Sequence, residues 1–181
     1  DNDEIPNLDS EDFKKNKNDI VIFNQLFFYF KFNLLYDKML WPGTKGCRKK
    51  NLISFSWLRN IKFKKYPIWR IDTYFSKTKY SNLNIIKNGG WHFTNLKSPE
   101  DMFEKFMNFG HHDEFKLSGI TIDKIKDKIS KREMFYDHFA DKSVTNKWES
   151  GYKLQNIDLD LLPKYLRDNK NKYKDWFDLK E

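Results

Sequence analysis

Cysteine is nearly missing from this chain: Cys47 is the only one in 181 residues. No internal disulfide can form, which excludes the disulfide-stapled secreted scaffolds and favours an intracellular compartment. Long apolar runs are missing too. The longest, from Ile20 to Leu35, is interrupted by Asn24, Gln25, Lys31 and Asn33 and is too short and polar to cross a bilayer. No stretch reads as a secretory signal, an internal repeat or an interdomain linker. A single domain spanning 1–181 is therefore expected, long enough to bury a substantial core.

What is abundant is aromatic. Phe, Tyr and Trp make up 18% of the residues, which excludes disorder as the general state. The net charge of +8 raises a nucleic-acid reading. Lys and Arg are interspersed with acids, however, and cluster only at Arg48-Lys49-Lys50 and Lys62-Phe63-Lys64-Lys65. The excess of Lys, Asn, Ile and Phe also has the look of an AT-rich genome. The expectation is a protein without a nucleic-acid partner, a basic RNA-binding module being the remote alternative.

The most unusual stretch opens the chain: Asp1-Asn2-Asp3-Glu4-Ile5-Pro6. In an extended segment, side chains at positions 1 and 3 project to the same side. Two hard oxygen ligands with open positions left over suit a divalent cation that also holds phosphate oxygens. Pro6 cannot continue a central strand, so the cluster belongs at a strand end, and α/β proteins place ligands at the carboxyl ends of strands. A calcium loop needs an oxygen-bearing side chain at its fifth position and Gly at its sixth; Ile5 and Pro6 exclude an EF-hand. An acidic run of this kind is also what a solvated tail looks like.

Further along, Asp9 to Lys15 reads as a short helix, with acids at its start and lysines at its end. Asp19 to Phe32 reads as one or two strands. Trp41-Pro42-Gly43-Thr44 reads as a turn, and Leu52 to Ile61 as a short packing helix. Ile68 to Ile71 is a strand or turn in which Arg70 is a phosphate or sugar contact, or else a cation stacked on Trp69. Gly89-Gly90 precede Trp91-His92 and permit close backbone approach to a ligand. Ser98-Pro99-Glu100-Asp101 starts a helix whose Met102, Phe103, Phe106 and Met107 face the core. Thr121 caps another, with Ile122, Ile125 and Ile129 inward. Ser143 to Tyr152 is polar and loop-like.

The order of these motifs resembles glycosyltransferase family 17, the family of the transferases that add bisecting N-acetylglucosamine. The blocks are Asp1 to Pro6, Trp41 to Thr44, Gly89 to Thr94, His112 to Phe115 and Leu162 to Leu166. The resemblance implies an α/β domain of the GT-A type, a UDP-sugar donor, a glycan or glycoconjugate acceptor and inversion at the anomeric carbon. It also implies a divalent metal, Mn²⁺ with Mg²⁺ as the alternative. Asp1 and Asp3 match the Asp-x-Asp pair and are the expected metal ligands. Because the chain opens directly on that motif, it is expected to be the carboxy-terminal portion of a longer protein lacking its nucleotide-binding half. Glu133 stands where relatives tend to carry Asp. The cysteines of the animal enzymes are missing, which implies a cytoplasmic microbial or viral member, soluble or peripheral to a membrane.

An acceptor hydroxyl must lose its proton as it attacks, so a carboxylate or His is needed opposite the leaving group. Glu114 is the expected base and His112 either its positioning partner or a third metal ligand, the two sharing one side if that segment is extended. Glu4, Glu133 and Asp137 are rivals for the base. Glu4, Trp41, Arg70, Trp91 and His92 are the expected substrate-binding residues. The alternative is a non-catalytic glycan-binding fragment using Trp41, Trp69 and Trp91.

Overall fold

A computed structural model describes residues 2–110, 112–138, 148 and 150–179. Among these residues five strands form one mixed sheet in the order β1-β4-β2-β3-β5, and helices complete an α/β architecture. The strands are β1 (Glu4–Pro6), β2 (Ile20–Tyr29), β3 (Leu34–Cys47), β4 (Leu83–Thr94) and β5 (Gln155–Asn156). By internal contacts the chain divides into two compact units, Asp1–Leu26 with Met39–His92, and Phe27–Lys38 with Phe93–Glu181.

The first unit is built on β2. Its opening residues Ile20 to Phe23 are all buried, and because successive strand side chains point to opposite faces, they supply two cores. Ile20 and Ile22 join Ile61 and Leu83 on one face, with Trp57, Leu58, Tyr80 and Cys47 around them. Val21 and Phe23 join Ile86 on the other. Asn82 Nδ2 donates to Asp19 Oδ2 (2.9 Å) where β2 and β4 begin. Between β3 and β4 the chain passes through α1 (Phe55–Asn60), whose N-cap Ser54 accepts from Trp57 N, and the single turn α2 (Asp72–Phe75).

The second unit is aromatic at its centre. Phe106, Phe115, Phe135 and Trp148 form edge-on and tilted ring contacts, with Phe30 against Phe135 (5.6 Å). Helices α3 (Pro99–Met107), α4 (His112–Leu117) and α5 (Ile122–Ser130) bury Met102, Phe106, Phe115 and Ile125. Ser98 and Thr121 cap α3 and α5 as their sequences lead one to expect. A short α6 (Lys164–Asp168) follows. Near the end of the chain Asn33 Nδ2 donates to Asp178 O (2.9 Å), and Asp178 N donates back to Asn33 Oδ1 (2.8 Å).

Three local expectations change. Asp9 to Lys15 is not a helix; only Leu8–Ser10 makes a 3-10 turn, followed by a hydrogen-bonded turn around Asp12. Trp41 to Thr44 is not a turn but lies inside β3. The β3–β5 pairing covers Leu34 and Leu35, well before Pro42. A proline without an N–H is tolerated in such a strand where no neighbour requires that donor. His112 to Phe115 is helical, not extended, because Phe115 is buried among Phe103, Phe106 and Trp148. Most of Ser143 to Tyr152, expected as loop, lies outside the described residues.

Candidate metal centre and adjoining pocket

The edge strand β1 runs antiparallel to β4, with Glu4 opposite His92, Ile5 opposite Trp91 and Pro6 opposite Gly90. Proline fits here because, among the described residues, β1 has a neighbouring strand on one side alone. The pairing depends on Gly90. Its φ is +145°, a backbone region that residues with a Cβ rarely adopt, and a Cβ there would lie 2.2 Å from the carbonyl oxygen of Ile5. Asn7 N donates to Gly89 O (2.8 Å) and closes the ladder.

Directly opposed residues on an antiparallel pair bring their side chains together. Asp3, just before β1, Glu4 and His92 each offer a ligand atom, and these atoms lie within 4.8 Å of one another. Asp3 is exposed, Glu4 half-buried and His92 buried. The cluster sits near the carboxyl end of β4, although Asp3 lies at the amino end of its own strand. Trp41 holds the arrangement from β3. Its indole stacks on the imidazole of His92, with centroids 4.5 Å apart and planes 10° from parallel. Its Nε1 donates to Glu4 Oε1 (3.0 Å), so both the imidazole plane and one carboxylate oxygen are oriented by a single side chain. Behind Trp41, Gly43 leaves room for the fully buried Gln25, whose Nε2 donates to Thr44 Oγ1 (3.3 Å).

A pocket of about 380 Å³ opens beside Glu4, lined also by Trp41, Thr44, Lys45, Phe55 and Arg59. Lys45 Nζ donates to the carbonyl oxygens of Arg59 (2.6 Å) and Ile61 (2.7 Å). Burial lowers the pKa of that ammonium, while the negative charge of Glu4 acts against the shift. The pocket thus carries an aromatic face, one carboxylate and two cationic side chains. Sequence reasoning passed over Lys45, Arg59 and Phe55. The one sequence signal is that Lys45 directly follows the Trp-Pro-Gly-Thr block.

The other expected residues do not join this cluster among the described residues. Asp1, expected to share the metal with Asp3, is outside the described residues. Trp91 is half-buried on β4, opposite Ile5. Arg70 is engaged with Asp72 through two hydrogen bonds (2.8 and 2.7 Å) and lies over Tyr66, not Trp69. Among the tryptophans considered for glycan stacking, Trp69 is 82% exposed while Trp41 has one face on His92. His112 and Glu114 belong to the second unit, on α4, and two residues apart on a helix they do not share a face. The pairing expected of them on an extended segment is therefore corrected. His112 Nδ1 lies 3.1 Å from Phe109 O, and its Nε2 lies 3.3 Å from Asp113. Glu133 accepts from Lys128 Nζ (3.0 Å). Asp137, half-buried, is one cause of the raised pKa of Tyr36, after burial.

Comparison with protein-family models, curated proteins and solved structures found no match to this chain.

Proposed function

We propose that this chain carries the metal-holding, diphosphate-facing part of an inverting glycosyltransferase that uses a UDP-sugar and a glycan acceptor. The donor sugar in this reading is N-acetylglucosamine. The observation that carries the proposal is a convergence. Three blocks of the family resemblance, separated by dozens of residues in sequence, meet in the first unit as Asp3 and Glu4, Trp41, and His92.

The donor set fits a divalent cation. Two carboxylates and an imidazole suit Mn²⁺ better than Mg²⁺ or Ca²⁺, which favour all-oxygen surroundings. Asp3, Glu4 and His92 would hold the ion; when bound, it supplies positive charge against the developing charge of a diphosphate leaving group. Trp41 keeps Glu4 and His92 oriented as ligands. Lys45 and Arg59 line the neighbouring pocket and favour phosphate oxygens by charge. A carboxylate committed to the cation is a poor general base, which sets Glu4 aside; Glu114 stays the proposed base, with Glu133 and Asp137 as rivals.

The test is release of UDP from UDP-N-acetylglucosamine by the full-length protein in the presence of Mn²⁺ and glycan acceptors. The proposal requires turnover that EDTA abolishes and Asp3→Ala lowers by about a hundredfold or more. Turnover undiminished by EDTA contradicts it.

A further inference from the structure

The positive charge of this protein is far less evenly spread than its short basic clusters suggest. Residues 45–79 contain eleven Lys and Arg against one acid, Asp72. They carry +10 of a chain whose total is +8, leaving the other 146 residues at −2. Asp72 itself is neutralised, accepting from Arg70 and from Lys79 (2.7 Å). Nine of the eleven cations, Lys45 and Lys79 excepted, are exposed.

The same segment holds the most exposed apolar side chains. Ile53, Phe55, Ile68, Trp69, Ile71, Tyr74 and Phe75 are each between 69% and 85% exposed. Outside it, among the described residues, Leu117 alone is as open. Tyr66, Pro67, Ile68 and Trp69 line a shallow hollow of about 640 Å³. Exposed apolar groups grouped in this way mark an interaction surface.

We infer that residues 53–75 dock the first unit onto an anionic lipid bilayer. Charge complementarity selects the occupant: exposed Lys62, Lys64, Lys65 and Lys77 in the same stretch as the apolar residues match a negatively charged headgroup layer. Trp and Tyr favour the bilayer interface, and the isoleucines and Phe75 can enter the acyl boundary. Single-stranded RNA would use the cations and the aromatic faces but has no use for three exposed isoleucines. Phe55 and Arg59 also line the pocket beside Glu4, so that pocket borders the docking segment. The inference does not depend on the transferase reading.

Co-sedimentation with phosphatidylcholine vesicles, plain or with about a third phosphatidylserine, tests it. The full chain should partition onto the anionic vesicles alone and be released by salt. A Trp69→Ser/Ile71→Ser/Phe75→Ser variant and a Lys62→Glu/Lys64→Glu/Lys65→Glu variant should each lower partition by about a hundredfold. The charge variant removes no buried packing, so it decides the question if the apolar variant fails to fold. Equal partition onto neutral vesicles, or unchanged partition of either folded variant, overturns the inference. Binding to generic RNA without vesicle binding overturns it in favour of nucleic acid. Dimerisation abolished by the apolar variant, again without vesicle binding, overturns it in favour of a second copy of the chain.

Discussion

The indole of Trp41 lies flat on the imidazole of His92, 4.5 Å between centroids, while its N–H donates to Glu4. One side chain from β3 thereby fixes two residues on two other strands. Trp41→Phe keeps an aromatic face but removes the donor. It should weaken Mn²⁺ binding about three- to tenfold at a stability cost of about 1.5 kcal/mol, the low end of the scale for a hydrogen bond to a charged group. Trp41→Ala should lose the stack as well and cost about 2–3 kcal/mol, since the residue is only half-buried. Urea titration and metal calorimetry on both variants separate orientation from packing.

Gly90→Ala should be more damaging than its size suggests. The added Cβ meets the backbone oxygen of Ile5 at a positive φ, and neither strand can move without displacing Glu4 from His92. A loss of about 2–4 kcal/mol is expected, with metal binding lost in the folded fraction. Gly43→Ala should be milder, because its Cβ meets the far end of a side chain, Gln25 Oε1, that can turn aside. Denaturation midpoints that ranked the two in the opposite order would contradict this account of the β1–β4 pairing.

Asp72 should titrate abnormally low. The hydrogen bond from Arg70, then that from Lys79, hold its carboxyl down to about 2 against an ordinary 3.8. A depressed carboxylate contributes to stability while ionised, fully above its unfolded value, and loses that contribution as pH falls through the folded one. The turn around α2 should therefore stay ordered at pH 4 and loosen only near pH 2. Carboxyl carbon NMR gives the midpoint; a value near 4 would mean the three-residue cluster does not persist in solution.

The base assignment is decided by comparing amide variants. Glu114→Gln should lower kcat by about two to four orders of magnitude while donor and metal binding persist. Glu133→Gln and Asp137→Asn should leave kcat within about tenfold, and Glu4→Gln should act mainly through the metal. With His112 and Glu114 on different faces of α4, His112→Ala should change kcat little. A collapse in Glu133→Gln or Asp137→Asn with Glu114→Gln near normal moves the role there.

Elements with local chemistry at their ends were legible in the sequence. Ser98-Pro99 and Thr121 announce α3 and α5 through capping groups that need no distant partner. The helical state of His112 to Leu117 was not legible, because it is decided by burying Phe115 among aromatics far along the chain. Trp41-Pro42-Gly43-Thr44 misled for a different reason: a Pro-Gly pair carries a turn signal, yet the four residues lie inside the long strand β3. Of the cluster, Asp3 and Glu4 stand in the acidic opening stretch that the sequence singles out. The ligand-like position of His92 was not legible, since a two-strand register joining residues 4 and 92 leaves no mark in either segment. The glycines before Trp91 were the nearest clue, and Gly90 is where the close approach they permit occurs.

Mn²⁺ titration of the 181-residue chain by calorimetry tests the central claim most directly. One ion should bind per chain, and His92→Ala and Asp3→Ala should each weaken it about tenfold or more, with Glu114→Gln unaffected. Affinity unchanged in both Asp3→Ala and His92→Ala would show that these residues, with Glu4, do not form a metal site.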